Sequence, residues 1–307
     1  MKKIKLICYL LLLGQFIYSQ ETISTITKDY IANANKPSSE LIKKLDAYPL
    51  ESILETCKEQ LSDSLVTVRK AIYEMVYIIA LRKHNENGVN KAINMLISGC
   101  KDKDGGIVYT NLNYLKYFKS NDFDVEARIK LGLMAREGSY YFEQVVRLTG
   151  FVGITDLTYD YREMLQQKKY PNNKVRWALH IALARLGIKE EADYCLNRIR
   201  KLPISDDVVY DLLPDIVYVR SKEAFDYLLE LIKSNEKSCS SSNPNSDAKI
   251  ICAYRVIRLV APFINDFPIK TDKGGDLIDR DYDKMLITVR QWIDMNKTSY
   301  TLNIQVY

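Results

Sequence analysis

The hydrophobic positions of this chain recur with helical spacing, most clearly between residues 172 and 187. Six apolar residues there follow one stripe of a 3.6-residue period: Val175, Ala178, Leu179, Ala182, Leu183 and Leu186. Trp177, Ile181 and Ala184 form a second apolar stripe, so we predict a helix that is buried from two sides. Asn172 or Asn173 can cap its amino end, and Gly187 follows where a left-handed carboxyl cap is common.

A second helical pattern begins directly after Gly187. Its apolar positions are Ala192, Cys195, Leu196, Ile199 and Leu202, and Pro203 closes it. Two helices joined by a tight glycine turn form a helical hairpin, which cannot bury both of its faces alone. Further hairpins are therefore expected to pack against this one.

This hairpin resembles a HEAT repeat, a helical repeat of the armadillo type, especially in its bacterial form. The residues that carry the resemblance are Val175-Arg176, Ala178, Ala182-Leu183, Arg185-Leu186-Gly187, Glu191-Ala192 and Leu196. Fainter copies occur at Val68-Arg69-Lys70-Ala71 with Glu74, and at Glu223-Ala224 with residues 228–233. The resemblance implies an all-α fold over residues 49–297, in which antiparallel helix pairs form a right-handed superhelical stack (an α-solenoid).

The two ends of the chain differ from this central region. Residues 1–19 combine a basic start, a short apolar run and a small residue, Ser19, before Gln20, which predicts a secretory signal peptide. An uncleaved membrane anchor is the alternative, although the apolar run is shorter than the about 20 residues that span a bilayer. Residues 20–48 predict a weakly structured lead-in, and residues 298–307 predict either a short strand or a disordered tail.

Signal cleavage changes the charge of the chain. The formal charge falls from +5 to +2, because Lys2, Lys3 and Lys5 are removed and no acid is lost. A nearly neutral mature chain lacks the basic excess that nucleic-acid binding requires. No other apolar run is long enough to span a membrane, so we expect an exported protein of the periplasm or the extracellular space, without a stable membrane span.

Sequence signatures of catalytic, metal and nucleotide sites are not visible. The two histidines, His84 and His180, lie far apart, and no HExxH, CxxC, GxSxG or P-loop spacing occurs. Residues 279–283 resemble the start of a calcium loop, but the loop's twelfth position holds Arg290 where a glutamate is needed. We therefore predict no catalytic, metal-binding or cofactor-binding residues.

The cysteines bear on the export prediction. The mature chain keeps five, and in an oxidising compartment an odd number leaves at least one thiol unpaired. Cys239 lies in a polar stretch, residues 238–246, that predicts a flexible insertion, and Cys252 lies on the helical pattern that follows from Ala248. A Cys239–Cys252 disulfide is our candidate pairing, because it would fasten the insertion to its helix, although sequence alone does not fix connectivity.

Two groups of residues are candidates for a binding surface. Tyrosine is abundant, with 22 residues, and a cluster of four lies near the middle of the chain: Tyr140, Tyr141, Tyr159 and Tyr161. Tyrosine suits recognition surfaces because it joins an apolar body to a polar tip, although many tyrosines serve helix packing. Arg69 and Arg176 occupy the arginine position of the HEAT-like pattern, where either a structural bond to a neighbouring acid or a ligand contact is possible.

Two functions of different classes follow from these predictions. The first is a non-enzymatic HEAT-like scaffold that presents a curved surface to a protein or peptide partner in the bacterial cell envelope. The alternative is an all-α carbohydrate-active enzyme with an (α/α) toroid, which needs two carboxylates about 5 to 10 Å apart across a cleft. The hairpin pattern and the scarcity of tryptophan, with two residues, favour the scaffold.

Overall fold

A computed structural model describes most of the chain after the predicted signal peptide. The described residues are 23–33, 39–138, 141–167, 172–241, 245–272, 276–278 and 281–307. Residues 1–19 and Tyr140 lie outside them. The described residues are mostly helical, with one two-stranded sheet, which agrees with the all-α prediction, and those between 50 and 235 contain no strand. The chain forms two compact units, Met1–Leu131 and Gly132–Tyr307.

The first unit contains six complete helices and the start of a seventh among its described residues. They are α1 (23–32), α2 (Ser39–Leu45), α3 (Leu50–Lys58), α4 (Val66–Arg82), α5 (Val89–Gly99), α6 (Gly105–Leu115) and α7 (Val125–Glu137). Helix α5 packs against both α4 and α6. Gly88 is the N-cap residue of α5 and has a φ of 104°, a backbone conformation that favours glycine. It therefore makes the turn between α4 and α5 possible.

The prediction of a weakly structured lead-in at residues 20–48 is corrected by the structure. Both α1 and α2 lie within this range, and Ile23, Tyr30 and Leu45 are fully buried. Short helices gain most of their stability from tertiary packing rather than from their own sequence pattern. A weak local pattern therefore did not reveal these two helices.

The second unit contains eight helices after α7 in the described part of the chain. They are α8 (Phe142–Val152), α9 (Thr158–Gln166), α10 (Asn173–Arg185), α11 (Lys189–Arg200), α12 (Leu213–Val219), α13 (Lys222–Lys233), α14 (Ala253–Val260) and α15 (Tyr282–Asn296). Helix α10 packs against α8, α9, α11 and α12. Its predicted caps are present, because Asn172 accepts a hydrogen bond of 2.8 Å from the backbone of Lys174 and Gly187 has a φ of 90°. Gly150 lets α8 approach α10, because a Cβ there would lie only 3.0 Å from the Cα atom of Ala182.

A β-hairpin stands where the sequence predicted a flexible insertion and the start of a helix. Strand β1 (Lys237–Ser240) pairs antiparallel with β2 (Lys249–Ile251), and α14 starts only after β2. A disulfide bond joins Cys239 to Cys252, with a Cα–Cα distance of 5.2 Å. The described ends of this insertion are thus held by backbone pairing and by the disulfide bond. The prediction of a flexible insertion is therefore corrected to a β-hairpin.

The tail, residues 298–307, runs along the second unit in an extended conformation. Leu302 forms an isolated antiparallel bridge with Ile264. Arg185 donates a hydrogen bond of 2.7 Å to the carbonyl of Ile304, and Arg220 donates one of 3.0 Å to that of Tyr307. The tail is thus bonded to earlier residues of its unit, with one isolated bridge and no regular strand between residues 298 and 307.

Candidate functional site

A pocket in the second unit combines aromatic walls with positive charge. It has a volume of about 300 Å³ and lies between the exposed sides of α10 and α11 and the segment that follows them. Its charged and aromatic lining residues are Lys174, Arg176, Trp177, His180, Tyr194 and Arg198. The apolar part of the lining is Ile199, Leu202 and Leu212. The lining therefore contains three lysine or arginine side chains and, among the described residues, no carboxylate.

Helical spacing explains why these side chains share one pocket. Arg176, Trp177 and His180 stand at i, i+1 and i+4 on α10, while Ala178, Leu179 and Ala182 turn to the core and are fully buried. Tyr194 and Arg198 stand at i and i+4 on α11. The face of α10 opposite its buried stripe therefore meets one face of α11.

The indole of Trp177 is fixed by a buried carboxylate. Its Nε1 donates a hydrogen bond of 2.5 Å to Asp215 Oδ2, and Asp215 Oδ1 also accepts from Arg147 Nη1 at 2.5 Å. Burial lowers the pKa of the Arg147 guanidinium, but the bond to Asp215 outweighs this effect and leaves that pKa raised. Asp215 is thus neutralised by Arg147 and holds one wall of the pocket in place.

His180 and Tyr194 form an aromatic pair in the pocket lining, and a carboxylate holds the histidine. His180 Nδ1 lies 2.6 Å from Glu191 Oε2, and its ring stacks at a tilt on Tyr194 with a centroid distance of 4.4 Å. Tyr194 is 43% exposed, so its ring remains available to a ligand. Because Glu191 is bonded to His180, it is already engaged and does not line the pocket.

The cations of the pocket differ in how far they are satisfied. The Arg198 guanidinium lies 5.9 Å from the centre of the Trp177 ring and donates to the Tyr194 hydroxyl at 3.3 Å. Arg176 Nε is buried and has no hydrogen-bond partner among the described residues. Arg198 is therefore held by aromatic side chains of the pocket, whereas Arg176 Nε is not held by a hydrogen bond in the described part of the chain.

Arg69, the other candidate arginine, has a complete set of protein partners in the first unit. Its Nε and Nη2 atoms each donate to Asp102 at 2.8 Å, and its Nη1 atom donates to the carbonyl of Asp63 at 2.8 Å. The side chains of Arg69 and Asp102 are only 4% and 6% exposed. The hydrogen bond with Arg69 lowers the pKa of Asp102 below its ordinary value. Arg69 thus links a helix to the loop that precedes α6.

The structure does not gather the candidate tyrosines into one surface. Tyr141 precedes α8 and is half-buried, whereas Tyr159 on α9 is 75% exposed. Tyr161 is fully buried, and its hydroxyl lies 2.5 Å from Thr149 Oγ1. None of these three lines the pocket of α10 and α11.

Sequence reasoning missed most of the pocket. The hydrophobic pattern places Trp177 in an apolar stripe, and it does not single out Tyr194 or Arg198. The i, i+4 spacing of Tyr194 and Arg198 shows that they share a helix face. Only the packing of α11 against α10 shows that this face meets Arg176.

A larger, polar groove of about 810 Å³ lies in the first unit. Its charged groups are paired with one another: Lys91 with Glu51 at 2.6 Å, and Lys130 with Glu126 at 2.6 Å. Asn94 donates to Asp124 at 3.1 Å. The groove therefore offers solvated ion pairs rather than unsatisfied groups.

These features define an all-helical protein whose neighbouring helices pack together and which carries a cationic, aromatic pocket. No family model matches this chain, and no curated protein is significantly similar to it. Within the described residues, every helix is too short or too polar to cross a bilayer.

Proposed function

We propose that this chain is an exported, non-catalytic HEAT-like scaffold that binds a protein or peptide partner in the cell envelope. The observation that carries the proposal is the pocket of α10 and α11. Exposed tyrosine, tryptophan and arginine side chains converge there, and these residue types contribute most to binding free energy at protein interfaces. Carboxylates outside the lining hold the rings of Trp177 and His180, so a partner would meet preorganised walls.

Packing between consecutive helices supports the repeat arrangement. The α4/α5 and α10/α11 pairs each contain a glycine with positive φ in the turn, Gly88 and Gly187, and each pair packs closely. A right-handed superhelix of such pairs would present loops and helix faces for recognition. Export rests on the predicted signal peptide, and fractionation of cells that express the full chain tests it.

The carboxylate-pair enzyme has less support than the scaffold. The acids that line the polar groove of the first unit, such as Glu51 and Glu126, are bonded to lysines. A catalytic pair instead needs two carboxylates that face a substrate across a cleft. Hydrolysis of a polysaccharide by the purified chain, lost in E51Q or E126Q, would favour the enzyme.

Affinity capture with matched variants tests the scaffold. The mature chain is compared with a Y194A/R198A variant and with a Y159A/R200A control. The control alters the exposed Tyr159 on α9 and Arg200, which lies two positions after Arg198 on α11. A partner captured from envelope extract is then purified and titrated against all three proteins. We expect at least about tenfold weaker binding by the pocket variant alone, because each lost contact contributes about 1 to 3 kcal/mol. Equal affinity of all three proteins would contradict the proposal.

A further inference from the structure

The charge of the pocket indicates the chemistry of its ligand. Lys174, Arg176 and Arg198 are permanent cations on the lining. Asp215 is paired with Arg147 and Glu191 is bonded to His180, so neither carboxylate is bonded to these three cations. The described lining thus has an excess of positive charge that a negative ligand would balance.

Arg176 adds a directional feature to this charge. Its Nε atom is buried and has no hydrogen-bond partner among the described residues, whereas Arg69 at the same position of the repeat pattern donates twice to Asp102. An arginine guanidinium matches a carboxylate, which can accept two parallel hydrogen bonds. Arg176 lines the pocket, so a carboxylate there would meet its guanidinium.

The size and walls of the pocket limit what carries this carboxylate. A volume of about 300 Å³ is at the small end of ligand sites, so it suits one or two side chains rather than an extended ligand. Trp177, Ile199 and Leu202 provide apolar surface beside the cations. A strongly hydrated phosphate or sugar acid has no apolar group to pack against that surface.

We infer that the pocket recognises an acidic residue next to an aromatic or aliphatic residue in a peptide segment of the partner. The carboxylate bonds Arg176 and Arg198, and the neighbouring apolar side chain packs on Trp177 and Tyr194. This inference rests on the proposed function, and it specifies the partner as an acidic, partly apolar peptide.

A pair of synthetic peptides tests the charge requirement. The probe is the blocked pentapeptide acetyl-Ser-Phe-Glu-Leu-Ser-amide, and its neutral counterpart has glutamine in place of glutamate. Binding to the mature chain is measured by calorimetry and by the fluorescence of Trp177 in a W292F background, since the chain has two tryptophans. We expect the glutamate peptide to bind at least about tenfold more tightly, because a hydrogen bond to a charged group contributes about 1.5 to 3 kcal/mol. The difference should shrink at high salt.

Variants assign that difference to named side chains. R176Q and R198Q are each expected to remove most of the preference for glutamate, with little effect on the glutamine peptide. R200Q is the matched control, since Arg200 lies two positions further on α11 with its guanidinium 5.2 Å from the Tyr227 ring centre. R200Q should leave both affinities within about twofold of the wild-type values.

The possible results separate this inference from the proposed function. Equal binding of both peptides would overturn the acidic specificity but leave the pocket as a peptide site. Binding of trigalacturonate, lost in R176Q and without binding of either peptide, would indicate an acidic sugar and overturn both proposals. Absence of binding by all three probes would overturn the inference, while the capture experiment would still decide the scaffold function.

Discussion

Arg69 and Arg176 occupy the same position of a Val-Arg-x-Ala pattern, but their surroundings are different. In the first unit, Arg69 is buried and bonded to Asp102 through two nitrogens. In the second unit, Arg176 lines a pocket with its Nε atom unpaired among the described residues. One arginine serves the fold, and we propose that the other serves recognition. A position in a repeat pattern therefore does not fix the role of its residue.

The acids on the loops that follow the two hairpins also have different partners. The loop after α5 carries Asp102, which is free to bond Arg69. The loop after α11 carries Asp206, but this acid forms an ion pair with Arg255 and accepts a bond from the backbone of Ser240 at 2.9 Å. The β-hairpin and α14 thus engage the acid that stands after the second hairpin.

The largest effect is expected when the Arg69 contact is removed. D102A leaves the buried guanidinium of Arg69 without its carboxylate, which should lower the melting temperature of the first unit by about 5 to 10 °C. K70A, which alters the exposed neighbour of Arg69, is the control and should have almost no effect. Thermal unfolding followed by circular dichroism measures both. A D102A protein as stable as the K70A control would contradict a structural role for Arg69.

Acid should weaken the same contact. The pKa of Asp102 is lowered from 3.8 in the folded state, mainly by its hydrogen bond with Arg69. The stabilisation from the Asp102–Arg69 contact is therefore fully present above pH 3.8, and it is lost as the pH falls through the lower pKa of the folded state. Melting temperatures measured between neutral and acidic pH should fall more steeply for the wild type than for D102N, which cannot titrate at this position. Parallel curves would argue against the contribution of Asp102.

A carboxylate placed in the pocket should make the second hairpin resemble the first. L202D puts an acid on the loop after α11, beside Arg176 and Arg198, where Leu202 is 42% exposed. We expect the glutamate peptide to bind at least about tenfold more weakly, since the new carboxylate occupies the cations. L202N has nearly the same shape without the charge and should retain most of the preference for glutamate over glutamine. Equal losses in L202D and L202N would show that shape, rather than charge, matters there.

The smallest effect on stability is expected for Arg176 itself. R176Q removes a guanidinium that forms no ion pair within the described residues, so the melting temperature should change by less than about 2 °C. Calorimetric unfolding of R176Q and R69Q under the same conditions compares the two positions directly. A loss in R176Q as large as that in R69Q would remove the contrast between them.

Local features of α10 could be predicted from the sequence because they depend on neighbouring residues. The cap at Asn172 and the left-handed Gly187 follow from short-range backbone requirements, and the buried stripe follows from helical periodicity. The β-hairpin could not be predicted in this way. The residues of β1 are polar and lack the alternation of a half-buried strand, and their pairing depends on residues about a dozen positions away.

The candidate site was less predictable than the helices for the same reason. Arg176 is a candidate because of its place in the repeat pattern, but its position in one pocket with Tyr194 and Arg198 depends on the packing of α11 against α10. Tyr159 and Tyr161 show a related limit. They lie two positions apart, and one is 75% exposed while the other is fully buried. Composition alone does not distinguish a recognition tyrosine from a packing tyrosine.

The docked tail affects the order in which the second unit can assemble. Arg185 and Arg220 bond carbonyls that are 119 and 87 positions further along the chain. Such distant pairings require closure of long loops before they stabilise anything, which slows folding. Docking of the tail is therefore expected late in the folding of the second unit.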